Sequence, residues 1–178
     1  MPRPFHGARE TADVLVVRGT KKVLDRVGGV TAAADDRSTT RLGDWYVNVL
    51  FWKPQVALFV NDTTLLPVLV PFAPAATLID RFPAALLAHL QAHEIGRSFT
   101  EPELAEMETL RLAKTASRSV IGVMNEFKYL ADVYAKLDGE CDLLALSIRL
   151  AATPCGPLYK RHISPDRELA ALVASTTG

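Results

Sequence analysis

Three neighbouring apolar runs constrain this chain more than anything else in it. They are WYVNVLFW (45–52), QVALFV (55–60) and LLPVLVPF (65–72), each rich in β-branched and aromatic residues. Lys53-Pro54 and the polar stretch 61–64 separate them, which predicts an antiparallel β-meander. The third run carries Pro67 and Pro71, two positions of the same parity. Neither can donate an N–H to a ladder, and a central strand cannot leave two such sites empty. This run therefore belongs at the edge of the sheet.

Upstream, DVLVV (13–17) reads as a short buried strand. Thr20 is placed to cap a short helix from Lys21, with Val23, Leu24 and Val27 on one face and Gly28 as its stop. Strand, Gly-Thr and helix in that order invite comparison with a phosphate loop, but the G-x-x-x-x-G-K-[ST] spacing is absent. Residues 28–44 form a polar, small-residue loop that is long for a compact domain, so it is expected to be mobile or functional. Residues 1–11 read as a loose tail.

Beyond Pro74 the apolar period becomes 3.6. Leu78, Ile79, Phe82, Leu86, Leu87 and Leu90 make one stripe, with Pro83 expected to kink or split that helix near Phe82. TEPE (100–103) has the form of a capping box, with Thr100 as cap and Glu103 at the third position. Leu104, Met107 and Leu110 carry on its apolar face, and Arg111 and Lys114 stand at its basic end. Val120, Val123, Met124, Phe127, Leu130, Ala131 and Tyr134 predict a further helix ended by Gly139. Residues 142–153 are ambiguous between helix and strand, and their length favours helix. Ser164 and Pro165 open a last short helix.

Strands early and helices late predict an α+β fold. Its antiparallel meander of three to four strands is packed on one face by C-terminal helices, with residues 1–178 as a single domain. The 178 residues are 49% hydrophobic and 22% charged, enough for a full core. Twenty basic and 20 acidic residues cancel, which argues against coating nucleic acid through bulk charge but leaves room for a local basic patch. Cys141 and Cys155 fit no disulfide framework or zinc motif and read as small, half-buried apolar side chains of a reducing cytosol. The uncharged run 63–79 is broken by three prolines, so no membrane span is expected, and no signal peptide is visible. A cytoplasmic protein is the expectation.

Chemistry concentrates in KTASRSVIGVMNEF (114–127). A helix starting near Ser117 or Ser119 directs unpaired N–H groups at the preceding loop, where Lys114 and Arg118 add charge and Thr115, Ser117 and Ser119 add donors. An anion fits this pattern, and so does an ordinary serine cap with two solvated bases. Asn125 and Glu126 follow near the core boundary. Tyr159, Lys160, Arg161 and His162 form a second cluster, either an extension of an anion or nucleic-acid surface or a solvated loop. Arg37, Arg41, Asp44 and a partly exposed Trp45 form a third, either a binding loop or one in which Arg41–Asp44 is a surface pair. His89 and His93 stand at i and i+4 without the Glu a zinc protease needs, and no metal or cofactor is expected.

Four stretches, 14–29, 38–86, 111–127 and 146–169, resemble an uncharacterised bacterial protein family, a domain of unknown function, with the likeness running from about Val14 to the end. Its most specific part is the Lys-Thr-x-x-Arg-Ser-Val-x-Gly-x-Met-Asn core, here Lys114, Thr115, Arg118, Ser119, Val120, Gly122, Met124 and Asn125. The resemblance implies a bacterial, cytoplasmic protein and no particular activity. Three readings stand side by side. One is a binding protein for a phosphate-bearing small molecule or nucleic acid. Another is a homo-oligomer or protein-interaction module using the proline-marked edge. The third is a hydrolase or nuclease assembled from Glu126, Asp44 and His162.

Overall fold

The structure is a computed structural model describing residues 13–139 and 141–178, so the expected tail over 1–11 lies outside the described residues. Five strands, β1 (Val14–Gly19), β2 (Trp45–Leu50), β3 (Val56–Asn61), β4 (Pro67–Pro71) and β5 (Thr109–Lys114), form one sheet in the order β4-β3-β2-β1-β5. The meander is present: Trp45 pairs with Asn61, Leu50 with Val56, Val60 with Pro67 and Val56 with Pro71, all antiparallel. It is only part of the sheet. β1 runs parallel to β2, with Val17 opposite Trp45, and parallel to β5 from Val14–Thr109 to Gly19–Lys114. The sheet is therefore mixed, and the purely antiparallel expectation is corrected.

The helices are α1 (Lys21–Val27), α2 (Leu78–Ala92), α3 (Arg97–Ala105), α4 (Arg118–Asp138), α5 (Leu143–Ala151) and α6 (Pro165–Thr176). They cover both faces of the sheet, not one. On the first face Leu15, Val17, Trp45 and Phe59 meet Leu24 of α1, Phe82 and Leu86 of α2, Phe99 of α3 and Leu169 of α6. On the second, Tyr46, Leu58 and Val60 meet Val120, Val123 and Phe127 of α4 and Leu146 and Leu150 of α5. A sheet buried twice explains the continuous apolar runs, since both residue parities must be apolar. It also corrects Trp45, which is fully buried against Phe82, with ring centroids 4.8 Å apart, while Phe82 stacks on Phe59 at 4.3 Å.

Two further corrections fall in the helices. Pro83 lies within α2, which runs on unbroken to Ala92. The TEPE segment is not a helix start: Gly96 caps α3, and Thr100 lies inside it. Glu103 instead turns inward, accepting the Arg41 and Leu42 N–H groups at 2.8 and 3.2 Å. The last turn of α3 closes through Met107 N–H on the Leu104 carbonyl. The residues read as its basic end then extend into β5, because six registered pairs with β1 are on offer there.

β4 is the edge strand, as its prolines require. Its outward-facing positions are 67, 69 and 71. Two are Pro, and the third, Leu69, donates its N–H to Ser147 Oγ of α5 at 2.9 Å. α5 packs along β4, so the edge that motivated a partner has no free N–H left to template pairing. Ser147→Ala strands the Leu69 N–H in a buried position. The expected cost is about 1–3 kcal/mol of unfolding free energy, read by urea denaturation with circular dichroism.

Candidate functional site

The arrangement of the parallel strands creates a crevice. β1 and β5 are neighbours, and Gly19 and Lys114 stand level at their carboxyl ends. From Gly19 the chain turns onto the first face as α1, and from Lys114 onto the opposite face as α4. Adjacent strands whose following helices diverge leave a gap beyond the strand ends, which is where open α/β sheets hold ligands. Here that gap is a cavity of about 540 Å³ lined by Gly19, Lys21, Leu24, Asp25, Gly29, Val30, Lys114 and Thr115. A second hollow of about 380 Å³ shares Val30, Lys114 and Thr115 and reaches Arg18 and Ala116. Gly19 itself is explained by packing: a Cβ there would sit 2.9 Å from the Leu24 side chain.

One wall of the crevice is the 28–44 loop, and it is firmly tied. Thr31 and Ala32 donate to the Leu112 carbonyl, both at 2.9 Å, and Thr39 donates to the Val14 carbonyl at 2.9 Å. Leu112 N–H returns a bond to Thr31 Oγ1, and Val16 N–H one to Ser38 Oγ. At the centre Arg18 and Asp44, 4% and 3% exposed, pair at 2.8 Å. The same guanidinium donates to the carbonyls of Lys114 at 3.3 Å and Asp36 at 3.0 Å, and Asp44 accepts the Ser38 N–H at 2.8 Å. Asp44 thus belongs to Arg18, not to Arg41 as its sequence neighbourhood suggests. Asp36 accepts from Ala33 N–H and Arg111, which hold its carboxyl below the usual range. Burial, with Asp44 nearby, pushes Asp62 up.

The expected binding residues divide into three groups. Lys114 and Thr115 line the crevice. Ser117 is the cap of α4: its Oγ accepts the Val120 N–H at 3.3 Å, and its own N–H donates to the Tyr46 hydroxyl at 3.1 Å. Arg118 and Ser119 are exposed on the first turn of α4, and Asn125 and Glu126 are exposed farther along it. Lys160, Arg161 and His162 line neither hollow of the crevice. Arg161 and His162 both engage the buried Glu168 of α6, the His162 Nδ1 contact being 2.8 Å, and Arg161 also approaches the Thr63 carbonyl at 3.5 Å. The second cluster is therefore held by a different element. Glu126, Asp44 and His162 are likewise each placed elsewhere, with Asp44 committed to Arg18 and His162 to Glu168. Lys21 and Arg18 join the crevice without standing out in the sequence, where the strand–Gly-Thr–helix order at 14–27 is their one signal.

Among the described residues, no cluster of three His, Cys, Asp or Glu side chains is placed to share a metal ion. Cys141 is exposed and Cys155 buried, its thiol pushed up to about 12 by desolvation, with Glu126 adding to the effect. Burial also raises Glu103 to about 7, against the pull of its two backbone donors. His89 and His93 meet Nε2 to Nε2 at 3.0 Å, and His89 Nδ1 is buried without a protein partner. A bare nitrogen costs less there than an orphaned N–H, so His89 donates through Nε2 and His93 accepts. Desolvation, reinforced by His93, holds His89 down at about 3. A folded-state value below the ordinary 6.5 means the unfolded chain binds the extra proton. Stability from this pair is full above pH 6.5 and is lost as pH falls toward 3. Urea titrations at pH 7 and pH 4 should show His89→Leu losing less stability on acidification than the wild type, by on the order of 3 kcal/mol.

No helix among the described residues is long and apolar enough to cross a membrane. No curated protein and no solved structure matches the chain. A family model does: DUF6933, described as a domain of unknown function, matches residues 16–168. That span runs from β1 into α6 and takes in both strands of the crevice, the loop that walls it and the start of α4. The chain belongs to the DUF6933 family.

Proposed function

We propose that the crevice between the ends of β1 and β5 binds a small phosphate-bearing ligand. The observation that carries this reading is the pairing of two lysines, Lys21 and Lys114, with the Thr115 hydroxyl on a hollow of nucleotide-compatible size at the divergence of α1 and α4. α4 supports it from the rim. Its first residue follows Thr115 by three positions, and the N–H groups of Arg118 and Ser119 meet no protein acceptor among the described residues. A 21-residue helix presents a partial positive charge there. Lys21 is held by Asp25 at 2.6 Å, an exposed pair that an incoming anion displaces at little cost.

The test is a thermal-denaturation screen of nucleoside mono-, di- and triphosphates and pyrophosphate, followed by calorimetric titration. A ligand at a hundred times its Kd adds about 2.7 kcal/mol, which for a domain of this size raises Tm by roughly 5–10 °C. Lys114→Ala with Thr115→Val should weaken binding at least tenfold, at a cost of about 1.4 kcal/mol or more. If no phosphate compound shifts Tm, or the double variant binds as the wild type does, the reading is wrong.

A further inference from the structure

At the same end of the sheet, on the far side of α1 from the crevice, lies a surface that the crevice does not use. β2 ends at Leu50, and the turn that follows displays Phe51, 57% exposed, beside Trp52 and Lys53. Lys22 of α1 stands with its ammonium 5.0 Å from the centre of the Phe51 ring. From α4, Asp132 accepts the Trp52 indole N–H and so fixes that ring against the helix. Two shallow hollows flank this bond. One, of about 230 Å³, lies between Phe51, Trp52 and Lys128, and the other, of about 370 Å³, between Trp52, Lys53 and Lys136. Two aromatic rings are thus interleaved with four lysines, and Asp132, the carboxylate lining the two hollows, is already committed.

We propose that this platform binds single-stranded nucleic acid, with bases stacking on Phe51 and Trp52 and phosphates meeting Lys22, Lys53 and Lys128. The chemistry selects this occupant over two others. A second copy of the chain, docked face to face, would bring the same lysines together and repel. An acidic peptide satisfies the lysines but has no use for the flat, exposed ring of Phe51. A strand of nucleic acid uses both, since every base offers a π-face and every linkage a charge. The zero net charge of the chain is no obstacle, because the cations are gathered locally. The cation above Phe51 is exposed and exchanges readily for a base.

The chain carries its own reporter. Of its two tryptophans, Trp45 is fully buried and Trp52 lies on the platform. Titration of the full chain with oligo(dT) at low salt should quench tryptophan emission. Phe51→Ala should weaken binding about tenfold. Lys53→Ala with Lys128→Ala should reduce the slope of log K against log[salt] by about 1.4, or roughly 0.7 for each phosphate contact removed. Circular dichroism checks that these surface variants stay folded. Lys114→Ala with Thr115→Val should leave the titration unchanged, which separates this site from the crevice. The proposal is overturned if oligo(dT) leaves tryptophan emission unchanged, if Phe51→Ala binds like the wild type, or if polyglutamate of matched charge binds as tightly as oligo(dT).

Discussion

The buried pair of Arg18 and Asp44 organises the crevice end of this molecule. Two opposite charges, each almost wholly removed from water, are costly unless every remaining donor and acceptor is met. Here they are met by backbone. Arg18 reaches the last carbonyl of β5 and the carbonyl of Asp36, while Asp44 takes the N–H of Ser38. One side chain on β1 therefore fixes the end of β5, the start of β2 and the middle of the 28–44 loop relative to one another. The crevice has the end of β5 and that loop as two of its walls and α1 as the third. Its shape follows from charge burial more than from apolar packing, since the loop contributes only Leu42 to the buried apolar core.

The sheet supplies the other half of the design. Placing β1 between two parallel neighbours forces long crossovers, whose helices α1, α2 and α3 cover the first face, while α4 and α5, which follow β5, cover the second. The antiparallel meander then extends the sheet cheaply on one side and is closed off by α5, with Pro67, Pro71 and Ser147 dealing with every outward N–H of β4. Both proposed sites lie at the carboxyl ends of β1, β5 and β2. There α1 sits between the lysine-lined crevice and the aromatic platform, contributing Lys21 to one and Lys22 to the other.

How much of this the sequence reveals depends on how local the cause is. Strands β2, β3 and β4 are legible because their composition, turns and prolines are local facts. So are the Ser117 start and Gly139 end of α4. β5 is hidden because Leu104, Met107 and Leu110 fit a helical period by coincidence, and only pairing with β1, about 95 residues away, makes 109–114 a strand. Glu103 mimics half of a capping box, but its carboxyl belongs to the Arg41–Leu42 backbone across the fold. In the sequence Lys114 stands out for its neighbours in the chain. Its actual companions, Lys21 and Gly19, are neighbours only through the sheet. The grouping of Lys114 with Lys160 and Arg161 has no counterpart, because the contacts of Arg161 and His162 with Glu168 hold the latter cluster against α6.

Amide hydrogen exchange on the paired substitution Arg18→Met, Asp44→Leu tests the central claim most directly. Replacing both charges with apolar groups avoids leaving either one stranded, so global stability changes little. If the pair builds the crevice wall, the amides of Thr31, Ala32, Ser38 and Thr39 should exchange at least about tenfold faster, while those of β2 and β3 keep their protection. Loop amides that remain as protected as in the wild type would contradict the account.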